Sequence, residues 1–138
     1  MAKMRRRFTP GEYALRVGRS RTGRGLYAKA PIRKGACVLE YTGRPVSDKE
    51  QYENRGKYLF WTGRGTMING NIPGNLARHI NHSCQPNCEV DVKKRRIYIF
   101  AIKNIKADEE LTYHYGEEYF EMYFSHGRCR CLSCVPRA

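Results

Sequence analysis

The run RIYIFAI, residues 96–102, is apolar on both faces and rich in β-branched and aromatic residues. It predicts an interior strand that the rest of a short chain has to cover from two sides. The surrounding sequence is cut into short pieces by turn formers. Tyr13–Val17 and Leu26–Ala28 read as strands around the glycine-rich RTGRG, and Cys37–Tyr41 as another between Lys34-Gly35 and Thr42-Gly43. Lys93–Arg96 (KKRR) reads as a hairpin turn, and Leu111–Tyr115 (LTYHY) as a further short strand. Ser47 and Glu50 form a capping box for a short helix that stops by Gly56. Glu117–His126 reads as a helix ended by Gly127. The expectation is a mainly β fold of small sheets with two or three short helices and no repeated βαβ order. At 138 residues it is one domain with a single modest core.

Charge is distributed unevenly. Lys and Arg number 26 against 13 Asp and Glu, a formal net charge of +13. The first 34 residues hold eleven Lys or Arg and one acid, Glu12, whereas six acids fall between Asp108 and Glu121. A basic head of this kind attracts nucleic acid or acidic protein; for KKRR a merely solvated turn serves as well. No apolar run approaches the roughly 18 residues of a membrane span, and Met1–Phe8 is basic without the apolar stretch of a secretory signal. The expectation is a soluble intracellular protein, not exported and without a membrane partner, cytoplasmic or nuclear, whose thiols stay reduced.

Six cysteines therefore need a reason other than disulfides. Cys37 and Cys88 are isolated and read as small buried or surface residues. Cys129, Cys131 and Cys134 crowd into RCRCLSC, three thiolates where tetrahedral zinc takes four ligands, and Cys84 could supply the fourth. A redox CxxC, an iron–sulfur cluster or loose thiols remain open on spacing alone.

Gly23–Ala28 (GRGLYA) fits the GxGxxA dinucleotide fingerprint, with Glu40 at a tolerable distance for a ribose. That fingerprint needs a helix starting at the glycines. The following YAKAPIRKG denies one through Pro31 and Gly35, so the nicotinamide reading is rejected. The glycines still allow a ligand close to the backbone.

Residues 75–88, NLARHINHSCQPNC, are too polar for a plain core strand and too apolar for an ordinary loop. Taken with GRGLYA, EYTG at Glu40–Gly43, ELTYHYG at Glu110–Gly116 and the cysteine-rich tail, the stretch GNLARHINHSC resembles the SET domain family of protein-lysine methyltransferases. The resemblance runs in the family's order from about residue 12 to the end. It implies a basic arm at 1–11, a SET domain at 12–116, and a C-terminal helix with a post-SET zinc tail at 117–138. It also implies a knot-like C-terminal crossing that sets NHSC beside ELTYHYG. Asn81 and His82 would then face S-adenosylmethionine, Leu76 and Ile80 the core, and Cys84 the metal.

The resemblance further implies methyl transfer from S-adenosylmethionine to a lysine, in a histone tail or another basic DNA-associated protein. Free lysine, with pKa near 10.4, is neutral so rarely at pH 7 that the site must overcome about 4 to 5 kcal/mol. Desolvation by aromatic walls and repulsion from a sulfonium both favour the neutral amine. By similarity Tyr115 is the essential tyrosine, Tyr58 bonds the target amine, and Tyr113 sits where a tyrosine or phenylalanine sets how many methyls fit, a tyrosine implying mono-methylation. Gly23, Arg24, Gly25, Tyr58, Asn81, His82, Tyr115 and Leu132 would hold the cofactor, with structural zinc on Cys84, Cys129, Cys131 and Cys134. His79 and His82 are expected as packed, hydrogen-bonded rings without acid–base duty.

Three departures stand out: the tail's short CxCx2C, His114 where the family usually has aspartate, and Asn69-Gly70 for a frequent Asp-Ala. The brief segment between Thr42 and Asn75 suggests a minimal, stand-alone version of bacterial or viral type. The contrasting reading is a zinc-stabilised basic module that binds nucleic acid without catalysis.

Overall fold

The computed structural model describes residues 6–21, 23–47, 59–63 and 66–115. The helices expected at Ser47–Gly56 and Glu117–His126, and the tail cysteines, lie outside them.

Among the described residues ten short strands make four small sheets. β1 (Leu15–Ser20) and β2 (Gly23–Ala28) form an antiparallel hairpin whose register runs from Leu15 opposite Ala28 to Ser20 opposite Gly23. The glycines thus lie inside β2, with Gly23 at φ +124°, and no helix starts there. β3 (Cys37–Tyr41), β9 (Arg96–Ala101) and β8 (Cys88–Lys93) form the central antiparallel sheet, with β9 in the middle. β4 (Arg44–Pro45), β6 (Thr66–Asn69) and β5 (Leu59–Gly63) form a third sheet. β7 (Asn81–His82) and β10 (Thr112–Tyr113) pair in parallel.

The pattern of RIYIFAI explains the position of β9. Ile97, Ile99 and Ala101 enter the main core with Leu26, Ile32, Val38, Ile80, Ile105 and Leu111. Tyr98 and Phe100 face the other way, with Cys37, and are covered by Phe8. Phe8 stands edge-on to Tyr98 and Phe100 at centroid distances of 5.4 and 5.2 Å, and the Arg6 guanidinium lies 4.5 Å over Phe100. Arg6 also pairs with Glu89 and Asp91. This end of the basic arm is therefore laid on the sheet, its charge matched by two acids. The β8–β9 hairpin turns at Lys94 and Arg95, both at positive φ (50° and 64°), as a two-residue hairpin of this twist requires.

Two expectations change. In NLARHINHSC the residues 76–79 form a 3-10 turn, and with three residues per turn Ala77 and Ile80 share its inner face. Both are buried, while Leu76, expected to face the core, is 44% exposed. Of LTYHY only Thr112 and Tyr113 lie in a strand, because their partner β7 is itself two residues long.

Cys37 and Cys88 are buried thiols. Burial holds their pKa values up at about 11 and about 12, so both are inert.

Candidate active site

The site is built where residues 80–82 meet residues 110–115. Two sets of bonds bring them there. The segment after Ile105 returns along β2, with Asp108 N–H donating to Ala28 O at 2.7 Å and Leu111 N–H to Leu26 O at 2.8 Å. This carries Glu110 to the glycines of β2: a Cβ on Gly25 would stand 2.5 Å from Glu110 Oε2. The chain then pairs with β7, Thr112 opposite Asn81 and Tyr113 opposite His82. That parallel pair is the part of the expected crossing that the described residues carry.

Asn87 fastens this arrangement. Its Oδ1 accepts from Thr112 N–H at 2.9 Å, and its Nδ2 donates to Glu109 Oε2 and Glu110 O, both at 2.8 Å. The side chain is almost wholly buried, so each bond is made away from competing water. Asn75, also buried, performs a similar service. It accepts from Thr42 N–H at 3.2 Å and donates to Gly70 O at 2.9 Å, joining the end of β3 to the end of β6.

Asn81 is the polar centre. Its Nδ2 lies 2.8 Å from Arg24 O, 2.8 Å from Glu110 Oε2 and 2.9 Å from Ser20 Oγ. An amide NH2 has two hydrogens. Of the three oxygens, Arg24 O and the Glu110 carboxylate can only accept, which suits a ligand ammonium, whereas the Ser20 hydroxyl can also donate. Burial raises the Glu110 pKa, and the Asn81 bond opposes the rise.

Aromatic rings line the other side. Tyr41 and Phe60 stand 4.5 Å apart, Phe60 and Tyr113 6.1 Å, Tyr113 and Tyr115 5.0 Å, and Tyr115 and His82 5.4 Å. The Tyr115 hydroxyl donates to Ile80 O at 2.7 Å, so its oxygen turns lone pairs outward instead of a proton. Its backbone N–H donates to His82 Nδ1 at 3.0 Å. Burial lowers the His82 pKa to about 4, and neighbouring His114 adds to the fall, so at neutral pH the ring is an uncharged acceptor. His82 Nε2 faces Cys84 Sγ at 3.3 Å.

Of the residues singled out from sequence, Gly23, Arg24, Gly25, Asn81, His82, Tyr113 and Tyr115 come together in this region, with Cys84 at its rim. Tyr58, Leu132, Cys129, Cys131 and Cys134 lie outside the described residues. Ser20, Phe60, Tyr41, Asn87 and Glu110 were given no role beforehand. Tyr41 and Glu110 lie inside the quoted EYTG and ELTYHYG, but the motifs do not say which atoms their side chains touch.

Residues 23–116 match the SET domain family profile. The chain is 39% identical over 105 residues to "Histone-lysine N-methyltransferase trr" of Drosophila melanogaster, covering 67% of this chain and 4% of that protein. It is 38% identical over 121 residues to "Histone-lysine N-methyltransferase, H3 lysine-4 specific" of Aspergillus oryzae, covering 78% of this chain and 10% of that one. Among solved structures it resembles the Chaetomium thermophilum Polycomb Repressive Complex 2 with a TM-score of 0.70 at 35% identity, over 77% of this chain and 16% of that one. A structure described as "ctPRC2 in an autoinhibited conformation bound to S-adenosylmethionine" gives 0.69 at 36% identity, over 77% and 15%. The chain thus spans a small fraction of the length of each.

Proposed function

Because this chain belongs to the SET domain family, we propose that it is an S-adenosylmethionine-dependent protein-lysine methyltransferase. The observation that carries the reading is the parallel β7–β10 pair, Thr112 opposite Asn81 and Tyr113 opposite His82, beyond which the Tyr115 hydroxyl is held on Ile80 O at 2.7 Å.

S-adenosylmethionine supplies an electrophilic methyl group on a sulfonium. The residues present fit it on two counts. Arg24 O and the Glu110 carboxylate, both accepting from Asn81 Nδ2, suit the ligand's ammonium, and Gly23 leaves open space where a Cβ would stand, with nothing within 4 Å. Gly23, Arg24, Gly25, Asn81 and His82 would hold it, with Tyr58 and Leu132 added by the family resemblance.

The remaining work falls to the rings. Tyr113, Tyr115 and Phe60 offer an apolar wall that disfavours a charged ammonium and so raises the share of neutral amine. With its proton committed to Ile80 O, the Tyr115 oxygen accepts a hydrogen bond from the lysine nitrogen and orients its lone pair. Tyr58 would take a second amine hydrogen. Tyr113 is buried between Phe60 and Tyr115, and a full tyrosine there would leave little room for a second methyl group, which supports mono-methylation.

The substrate we favour is a histone tail or another basic DNA-associated protein, as the relatives' names indicate. Acids between Asp108 and Glu121 would attract such a basic chain, but two of them, Glu109 and Glu110, are bonded inward to Asn87 and Asn81. Contact with DNA would use the β1–β2 hairpin, where Arg19 and Arg24 are exposed, since Arg6 is paired with Glu89 and Asp91 and Arg16 with Asp108. This matches action in the nucleus; among the described residues no helix is long and apolar enough to cross a membrane. Structural zinc on Cys84 and the three tail cysteines completes the reading. Within it, the domain limits stay at 12–116 for the SET domain, with the arm before and the post-SET tail after.

Incubation with methyl-labelled cofactor and core histones tests the whole. Label on lysine, absent when the cofactor is omitted, is expected. Absence of both transfer and calorimetric cofactor binding, together with tight salt-dependent DNA binding, would instead favour the non-catalytic nucleic-acid module.

A further inference from the structure

Cys84 has company on the surface beside β7. An imidazole nitrogen of His82, one of His114 and Cys84 Sγ all lie within 4.8 Å of one another. The two rings meet edge to face at 4.7 Å. Zinc bonds of about 2.3 Å to sulfur and about 2.0 Å to nitrogen place tetrahedral donors roughly 3.5 Å apart. Modest side-chain rotation closes the difference.

The two histidines cannot play the same part. A backbone N–H only donates, so the bond from Tyr115 N–H makes His82 Nδ1 an acceptor. A neutral ring with that nitrogen unprotonated carries its hydrogen on Nε2, the atom 3.3 Å from Cys84 Sγ. His82 therefore offers sulfur a hydrogen and not a metal a lone pair. The exposed His114 ring, edge-on to His82, is the imidazole suited to a metal.

We propose that Cys84 and His114 are two ligands of one zinc site, with His82 donating Nε2–H to the metal-bound sulfur. The proposal rests on the reading of Cys84 as a zinc ligand and departs from it by putting an imidazole where a fourth thiolate stood. On binding, the Cys84 S–H proton passes to solvent as the Zn–S bond forms, and His114 binds as a neutral ring; nothing is oxidised or reduced. Other corners of the tetrahedron are open to water or to thiolates from elsewhere in the chain. An N–H donor on a coordinating sulfur spreads its charge and fixes its direction, as partners behind metal ligands do. The same ring holds the Tyr115 backbone, so the metal would steady the tyrosine through one imidazole.

The test is zinc-edge X-ray absorption on the full chain loaded with one equivalent of zinc, with affinity measured by competition against a chelating dye. A nitrogen shell at about 2.0 Å beside sulfur at about 2.3 Å is expected. His114→Ala should remove that nitrogen and weaken binding by at least about 10-fold, and His114→Cys should restore affinity with an all-sulfur shell. An all-sulfur shell in the unaltered chain overturns the assignment while leaving the four-thiolate reading standing. A nitrogen that survives His114→Ala, or unchanged affinity there, overturns it as well. Absence of zinc binding by the unaltered chain removes both readings and leaves the methyltransferase proposal to its own assay. Should the alanine variant fail to fold, the shell of the unaltered chain decides.

Discussion

Tyr115 is held to His82 through its backbone, N–H to Nδ1 at 3.0 Å, while its hydroxyl reaches back to the carbonyl of Ile80 at 2.7 Å. One residue thus clasps the 80–82 segment at two points. The ring between them has little freedom to turn, and a preorganised hydroxyl is more useful to a reaction than a mobile one.

Tyr115→Phe deletes one hydrogen bond worth about 1 kcal/mol and leaves the backbone clasp intact. Melting temperature and cofactor affinity should change little. Methyl transfer, measured as labelled product per unit time at saturating cofactor, should fall by roughly 100-fold or more. A variant that keeps most of its rate would make Tyr115 a packing residue.

Tyr113→Phe removes an oxygen from a buried ring that stands 5.0 Å from Tyr115 and 6.1 Å from Phe60. The room released lies beside the proposed amine position. Mass spectrometry of the product should shift from mono-methyl lysine toward di- and tri-methyl lysine, with the first transfer slowed by no more than about 10-fold. An unchanged product distribution would count against Tyr113 as the residue that limits methyl number.

What could be read beforehand divides along physical lines. β9 was legible because an uninterrupted β-rich run has to be covered on both faces, and Phe8 with the core supplies those covers. The β8–β9 turn was legible because the charged KKRR separates the alternating CEVDV from the apolar IYIFA. Leu76 misled because an apolar side chain says nothing about which face of a 3-10 turn it will occupy. Asn87 and Glu110 were hidden for another reason. Their value lies in bonds to Thr112, Glu109 and Asn81, which are distant in sequence and carry no local periodicity. The motif resemblance placed Asn81, Tyr113 and Tyr115 in one region but could not disclose the bond from Tyr115 to Ile80.

Glu110 provides a pH signature. Burial raises its folded pKa above the ordinary 4.5. For an acid with a raised folded value, the favourable contribution is complete below 4.5 and is lost as pH rises through the folded pKa. Ionised Glu110 is therefore a cost at neutral pH. Glu110→Gln keeps an oxygen for Asn81 and removes the charge, so its melting temperature should exceed that of the parent at pH 7. The gain should shrink as pH is lowered through the raised folded pKa, where the parent carboxyl takes up its own proton. A gain independent of pH, or a loss at pH 7, would show that the charge is needed where it stands.

Asn87 separates scaffold from chemistry. Asn87→Ala strips partners from Thr112 N–H, Glu109 Oε2 and Glu110 O at a nearly solvent-free place. Unsatisfied buried groups cost about 1–3 kcal/mol each, so a loss of about 3 kcal/mol, read as a fall of roughly 10 °C in melting temperature, is expected. Asn87→Asp keeps the oxygen that Thr112 N–H needs but sets a second carboxylate against Glu109. It should be poor at neutral pH and recover on mild acidification, when the pair can share a proton. No reacting group is lost in either variant. Each should therefore bind cofactor and transfer methyl groups in the cold, where the fold persists, and lose activity on warming in step with unfolding followed by circular dichroism. Loss of transfer at low temperature from a folded Asn87→Ala chain would show that β10 has shifted and taken Tyr113 and Tyr115 with it.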